Sequence, residues 1–132
     1  MTVQGLTTIK SSHGPNETMA RLESAVKAKG LTVFARIDHA GGASAAGLSL
    51  RPTEVLIFGN AKGGTPLMQA VQTVGIDLPL KALVWQDASG ETWLSWNDPA
   101  WLAARHGLSG VEAVVGKLAA LLEELAKTAT AA

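Results

Sequence analysis

Residues 78–97 read LPLKALVWQDASGETWLSWN. Two runs rich in leucine, valine and tryptophan flank Asp87-Ala88-Ser89-Gly90, which has turn composition, so the stretch predicts a β-hairpin. A four-residue loop over 87–90 pairs position 85 with 92, 84 with 93 and 81 with 96. One face then carries Lys81, Leu83, Trp85, Leu94 and Trp96, and the other Leu80, Ala82, Val84 and Trp93. Both faces are apolar, whereas the helices of a two-layer domain cover only one. A self-complementary contact with a second copy is the simplest cover for the other face, which makes Trp85, Trp93 and Trp96 candidate dimer-interface residues. The alternative is that the C-terminal helix or the segment 98–108 folds over it.

Upstream, VLIF at 55–58 is apolar on both sides and reads as a central strand. LTVFARI at 31–37 reads as a strand ending at Asp38-His39, and TVQGLTTIKSS at 2–12 as a strand that bends at Gly5. Between these two strands Met19, Leu22 and Val26 recur at helical spacing, with Pro15 suited to the first turn and Gly30 to the exit. AGGASAAGL at 40–48 allows a short helix, in which each glycine costs about 1 kcal/mol against alanine. GNAKGGT at 59–65 reads as a loop, with Thr65 capping a helix that begins at Pro66 and runs to about Val74. Asp98-Pro99 opens another short helix, through Arg105. Val111, Val114, Val115, Leu118, Leu121, Leu122 and Leu125 line one side of an amphipathic helix over about 110–127, leaving TATAA at 128–132 as a frayed tail.

This order of elements predicts one α+β domain over residues 1–132. It is a two-layer sandwich: a sheet of about five strands, mixed or mostly antiparallel, with helices packed on one face. At 132 residues and 47% hydrophobic content the chain buries a core without disulfides or a structural metal. The absence of cysteine excludes thiol nucleophiles, thiolate zinc sites and iron–sulfur clusters, and agrees with a reducing cytosol. Eleven Lys plus Arg balance eleven Asp plus Glu, so no bulk field steers the protein to nucleic acid or anionic lipid. The tryptophan-rich stretch 78–101 holds one lysine against three acids, which also argues against nucleic-acid stacking. Residues 1–15 lack the basic start and apolar core of a secretory signal, and no apolar run approaches the ~20 residues of a membrane span. A cytoplasmic protein without a membrane partner is expected.

Two segments are candidates for chemistry. Asp38-His39 ends a strand, where His39 suits acid–base work or metal ligation, but neighbouring strand residues point to opposite faces, so Asp38 is poorly placed to orient it; the simpler reading is that one of the two caps the following helix or that His39 is a hydrogen-bonded core histidine. In Asn60-Ala61-Lys62-Gly63-Gly64-Thr65, backbone N–H groups, a helix start and one lysine make an anion site, although the spacing matches neither a Walker loop nor G-x-G-x-x-G. The bland reading of that segment is a tight strand-to-helix connection. His13, His39 and His106 are scattered and no G-x-S-x-G elbow is present, so no metal site, cofactor or serine nucleophile is expected.

Several ordered motifs resemble those of the bacterial and archaeal domain-of-unknown-function 302 family. They are Asp38-His39 with the Ala/Gly-rich stretch after it, Phe58-Gly59-Asn60 with Gly64-Thr65-Pro66-Leu67-Met68, Leu78-Pro79-Leu80-Lys81, and Asn97-Asp98-Pro99. The resemblance covers about residues 5–108; Ala61 stands where the family pattern has proline, and Trp96 where it often has tyrosine. It implies a compact α+β fold, a dimer, and no assigned activity. The leading expectation is therefore a homodimeric module holding an anionic small molecule between the 38–44 and 59–66 loops. Lys62 and the amides of Gly63, Gly64 and Thr65 would contact the anion, with Asp38, His39 and Asn60 beside them. The alternatives are an enzyme using His39 as acid or base, and a purely structural dimerising domain.

Overall fold

In the computed structural model, which describes residues 2–132, the hairpin is present as β4 (Leu80–Gln86) and β5 (Thr92–Asn97), one residue out of the expected register. Trp85 faces Trp93, Val84 faces Leu94 and Ala82 faces Trp96. The cause lies in the turn. Asp87 N–H donates to the Glu91 carbonyl at 2.9 Å and Gly90 N–H to the Asp87 carbonyl at 3.1 Å, so the loop is Ala88–Gly90, one residue shorter than expected. Gly90 ends it at φ 86°, the left-handed position that such loops require. Asp87 secures the turn, its Oδ1 accepting from Ser89 and Glu91 N–H at 2.9 and 3.0 Å and its Oδ2 from Trp93 Nε1 at 2.9 Å. These donors, the indole first, hold its carboxyl below the ordinary carboxylate range. A one-residue change of register exchanges faces. Trp93 therefore joins Trp85, while Trp96, expected beside Trp85, turns into the core at 7% exposure.

The sheet is wholly antiparallel, in the order β1-β5-β4-β3-β2, with β1 (Leu6–Lys10) and β2 (Thr32–Asp38) at its margins. The VLIF strand, β3 (Thr53–Gly59), is interior, but β4 takes the middle. Leu56 and Phe58 of β3, Leu80, Ala82 and Val84 of β4, and Leu94 and Trp96 of β5 share one face. Against it pack Met19, Leu22 and Val26 of α1 (Pro15–Ala28) and Leu118, Leu122, Leu125, Ala126 and Ala129 of α5 (Glu112–Thr130). These are the helical stripes visible in the sequence, here forming one core.

The C-terminal segment departs from expectation. Thr128–Thr130 continue α5, Ala129 is wholly buried, and Thr130 is 5% exposed. Ser12 N–H donates to the Thr130 carbonyl at 2.8 Å and His13 Nε2 bonds the Ala131 carbonyl at 2.6 Å, so this tail is docked rather than frayed. At the other end of β1 Asn97-Asp98-Pro99 leads into α4 (Pro99–His106). Asp98 N–H donates to the Gly5 carbonyl at 2.8 Å, and the Asp98 carboxylate accepts from the Thr7 hydroxyl, so this motif fastens β1. A Cβ on Gly5, itself at φ 75°, would collide with the Trp101 ring.

Candidate functional site

The two loops expected to share a pocket lie at opposite ends of the sheet. Because β2 and β3 are antiparallel, Asp38 stands opposite Glu54 while Gly59 stands opposite Thr32, roughly 20 Å away along strands of this length. Asp38 caps α2 (His39–Ala45), its Oδ1 accepting from Gly41 N–H at 2.9 Å. His39 is exposed at the start of that helix, and the Asp38 carboxylate is turned to the cap. Nothing in this arrangement orients His39 for proton transfer.

GNAKGGT is the entry into a helix, not a loop before one. Asn60, rather than Thr65, is the N-cap of α3 (Ala61–Ala70): its Oδ1 accepts from Gly63 N–H at 2.7 Å and its carbonyl from Gly64 N–H at 3.1 Å. Asparagine ranks among the best N-caps, and Pro66 is tolerated inside the helix for the loss of one backbone hydrogen bond. The Gly63 and Gly64 amides expected to receive an anion are therefore committed to Asn60, and Lys62 is exposed. α3 ends at Ala70, short of Val74, and a 3-10 turn over Gln72–Asp77 follows.

What this end of the sheet does contain is a cavity of about 460 Å³, bounded by the starts of β2 and β4, the end of β3, α3, the 3-10 turn and α5. Pockets of ~300–1,000 Å³ with apolar walls and few polar groups are the usual form of small-molecule sites. Leu31, Met68, Leu78, Leu118 and Leu121 form the wall, and glycines stand at 59, 63, 64 and 75 where side chains would fill the space. Phe34 stands at its margin for a local reason. The β2–β3 register jumps between Val33 and Ala35, leaving Phe34 as the extra residue of a bulge, and a bulge re-aims the side chain it carries. Phe34 is 55% exposed, a large apolar ring presented to solvent at the cavity's edge. Asn60, Thr65 and Lys117 supply polar side chains. Of the residues expected to bind a ligand, Asn60, Gly63, Gly64 and Thr65 line this cavity, whereas Asp38, His39 and Lys62 do not.

The face of the sheet opposite the helices bears Val55 and Ile57 of β3, Leu83 and Trp85 of β4, and Trp93 of β5. α4 and α5 leave it open, since both belong to the helical layer, and all five side chains are half-buried. Trp85 and Trp93 stack with centroids 6.2 Å apart. Their indole N–H groups are satisfied inward, Trp85 to Ser95 Oγ and Trp93 to Asp87 Oδ2, both at 2.9 Å, so the rings offer apolar surface.

A third cluster links the 3-10 turn to α4. His106 Nε2 bonds Asp77 Oδ2 at 2.6 Å, His106 Nδ1 bonds Thr73 Oγ1 at 3.0 Å, and Arg105 reaches both Asp77 oxygens at 2.9 Å. Its order, hydroxyl to imidazole to carboxylate, is that of a nucleophilic relay, but Thr73 lies outside the cavity lining and Arg105 occupies the carboxylate. It holds the segment that forms one wall of the cavity against α4. Sequence reading passes over it because Arg105 and His106 lie about thirty residues from Thr73 and Asp77.

Comparison with known proteins agrees with this architecture. A solved structure of an uncharacterised conserved DUF302 protein from Bacillus stearothermophilus matches at a TM-score of 0.85 and 23% identity, over 96% of this chain and 99% of that one. Among curated proteins, the fluoride-specific ion channel FluC 1 of Brucella suis is 54% identical over 104 residues, 79% of this chain but 41% of the channel protein. FluC 1 of Brucella abortus and FluC 2 of Brucella melitensis match to the same identity, with 38% of each covered. The chain thus spans about two fifths of the length of these curated relatives. No helix among the described residues is long and apolar enough to cross a membrane. The family of the domain of unknown function DUF302 matches residues 7–125, nearly the whole fold from β1 to α5, and the chain belongs to that family.

Proposed function

We propose that this chain is a homodimeric binding module that holds a small molecule with an apolar body in the cavity between α3, α5 and the sheet end. The observation that carries this reading is the cavity itself, about 460 Å³ with aliphatic walls and four glycines where side chains would close it. The channel activity in the curated relatives' names is not carried over to the shared segment. Those proteins are named fluoride channels, this chain matches about two fifths of them, and none of its described helices can cross a membrane. We assign ion passage to the unmatched remainder, and binding in the cytoplasm to the shared part.

The test is thermal unfolding of the wild type and Gly64→Leu against a panel of small aliphatic acids, alcohols and amines. A Cβ on Gly64 meets Leu78 and Met68 at 3.6 and 3.7 Å, ordinary contacts, so the leucine is accommodated at its root and its branch enters the cavity. The variant should be as stable as the wild type or up to about 1 kcal/mol more stable, because glycine is a poor helix former. A ligand at about 100 times its Kd adds about 2.7 kcal/mol to the wild type, a rise of several degrees in Tm. That rise should vanish in Gly64→Leu. A wild type unmoved by the whole panel, or a variant that responds equally, overturns the cavity reading and leaves the dimerising role alone.

The homodimer rests on the open apolar face around Leu83, Trp85 and Trp93. Leu83→Glu, which puts a charge at its centre, should halve the mass measured by light scattering at micromolar concentration. A wild type that is already monomeric, or a variant that stays dimeric, would remove this face as the interface.

A further inference from the structure

Resting on the cavity reading, we infer that the ligand is an amphipathic anion, an aliphatic chain ending in a carboxylate or similar group, with Lys117 as the counter-charge at the cavity wall. Lys117 is the one charged residue among the described lining residues, and no acid stands with it. It forms no ion pair with any described residue, although charged positions two to three turns further along the same helix do, as Lys127–Glu123 and Glu124–Lys29 show. Its position in α5, one turn from Leu121 and beside Leu118, puts an exposed lysine at the edge of an aliphatic surface. Asn60 and Ala61 line the same cavity at the start of the ten-residue helix α3. Asn60 engages the Gly63 and Gly64 amides but leaves those of Ala61 and Lys62, the first two of the helix, without intrahelical acceptors. The helix dipole there has the same sign as the lysine. The lining is otherwise aliphatic or glycine, apart from Phe34 at the margin and the Thr65 hydroxyl. A polar ligand without an apolar body leaves that wall wet, and a cationic one meets Lys117.

Isothermal titration with decanoate, decanol and decylamine, each below its aggregation concentration, separates the inference from the reading beneath it. Wild type should bind decanoate at least tenfold more tightly than decanol, and decylamine weakest. Lys117→Gln should bring decanoate to the level of decanol while leaving decanol unchanged, and Lys127→Gln, a surface control further along the same helix and outside the lining, should change neither. Decanoate and decanol binding alike in the wild type, or decanoate binding that survives Lys117→Gln, overturns the anion assignment while the cavity reading stands. Binding of all three probes that persists in Gly64→Leu, or no binding of any, overturns the cavity reading itself.

Discussion

Trp96→Ala should lower the unfolding free energy by about 3–5 kcal/mol, the cost of removing a large aromatic side chain from a packed core. Trp96 is 7% exposed and belongs to the cluster that includes Leu22, Phe58, Ala82, Leu94 and Leu122, so no solvent-facing surface takes up the loss. For a domain with a typical 5–15 kcal/mol of stability, that change consumes a large share of the total. Trp85→Ala, on the open face, should cost less than half as much and act instead on association. Urea unfolding followed by far-ultraviolet circular dichroism reads both. The pairing of Ala82 with Trp96 stands or falls on the contrast: equal losses, or a larger loss at Trp85, would mean that the register is wrong.

Truncation after Lys127 should destabilise the protein by about 3 kcal/mol, from roughly two methyl groups returned to water and two tertiary hydrogen bonds lost. The methyls are those of Ala129 and Thr130, buried where α5 crosses the start of α1. The bonds are those from Ser12 N–H and His13 Nε2 to the Thr130 and Ala131 carbonyls. Beneath them lies the buried Ser11–Thr18 hydroxyl pair at 2.6 Å, which the cut opens to water. A truncated chain with an unchanged urea midpoint would show the tail to be dispensable.

The elements that show in the sequence are those whose spacing is self-contained. Met19, Leu22 and Val26, and the valine–leucine stripe of α5, declare a helix within a few turns, and the α+β class follows from their alternation with strands. The strand-to-strand hairpin is equally legible. Its register is not, because it turns on whether Asp87 belongs to the loop or closes the ladder, a matter of one backbone hydrogen bond. At 59–65 the glycines resemble an anion loop. Their structural role is space, and that becomes visible only when Leu31, Leu78 and Leu118, remote in the chain, are brought around them. The end-to-end separation of Asp38 from Gly59 depends on an antiparallel pairing that no local signal specifies. The short tail TATAA carries too little apolar character to announce its docking; its partners are Ser12 and His13 at the other end of the chain.

The bulge at Phe34 also bears on how far the sheet can grow. A marginal strand with a regular row of free N–H and C=O groups is a template for a strand of another molecule. In β2 that row is broken between Val33 and Ala35, and Arg36 beyond the break is tied to Glu54 at 2.6 Å and to Glu23 at 3.0 Å, Glu54 most of all holding its guanidinium protonated. The opposite margin, β1, is five residues long and carries Lys10, paired with Glu91. Both borders are thereby poor templates for strand addition, which protects a cysteine-free, tryptophan-rich sheet from running on into fibres.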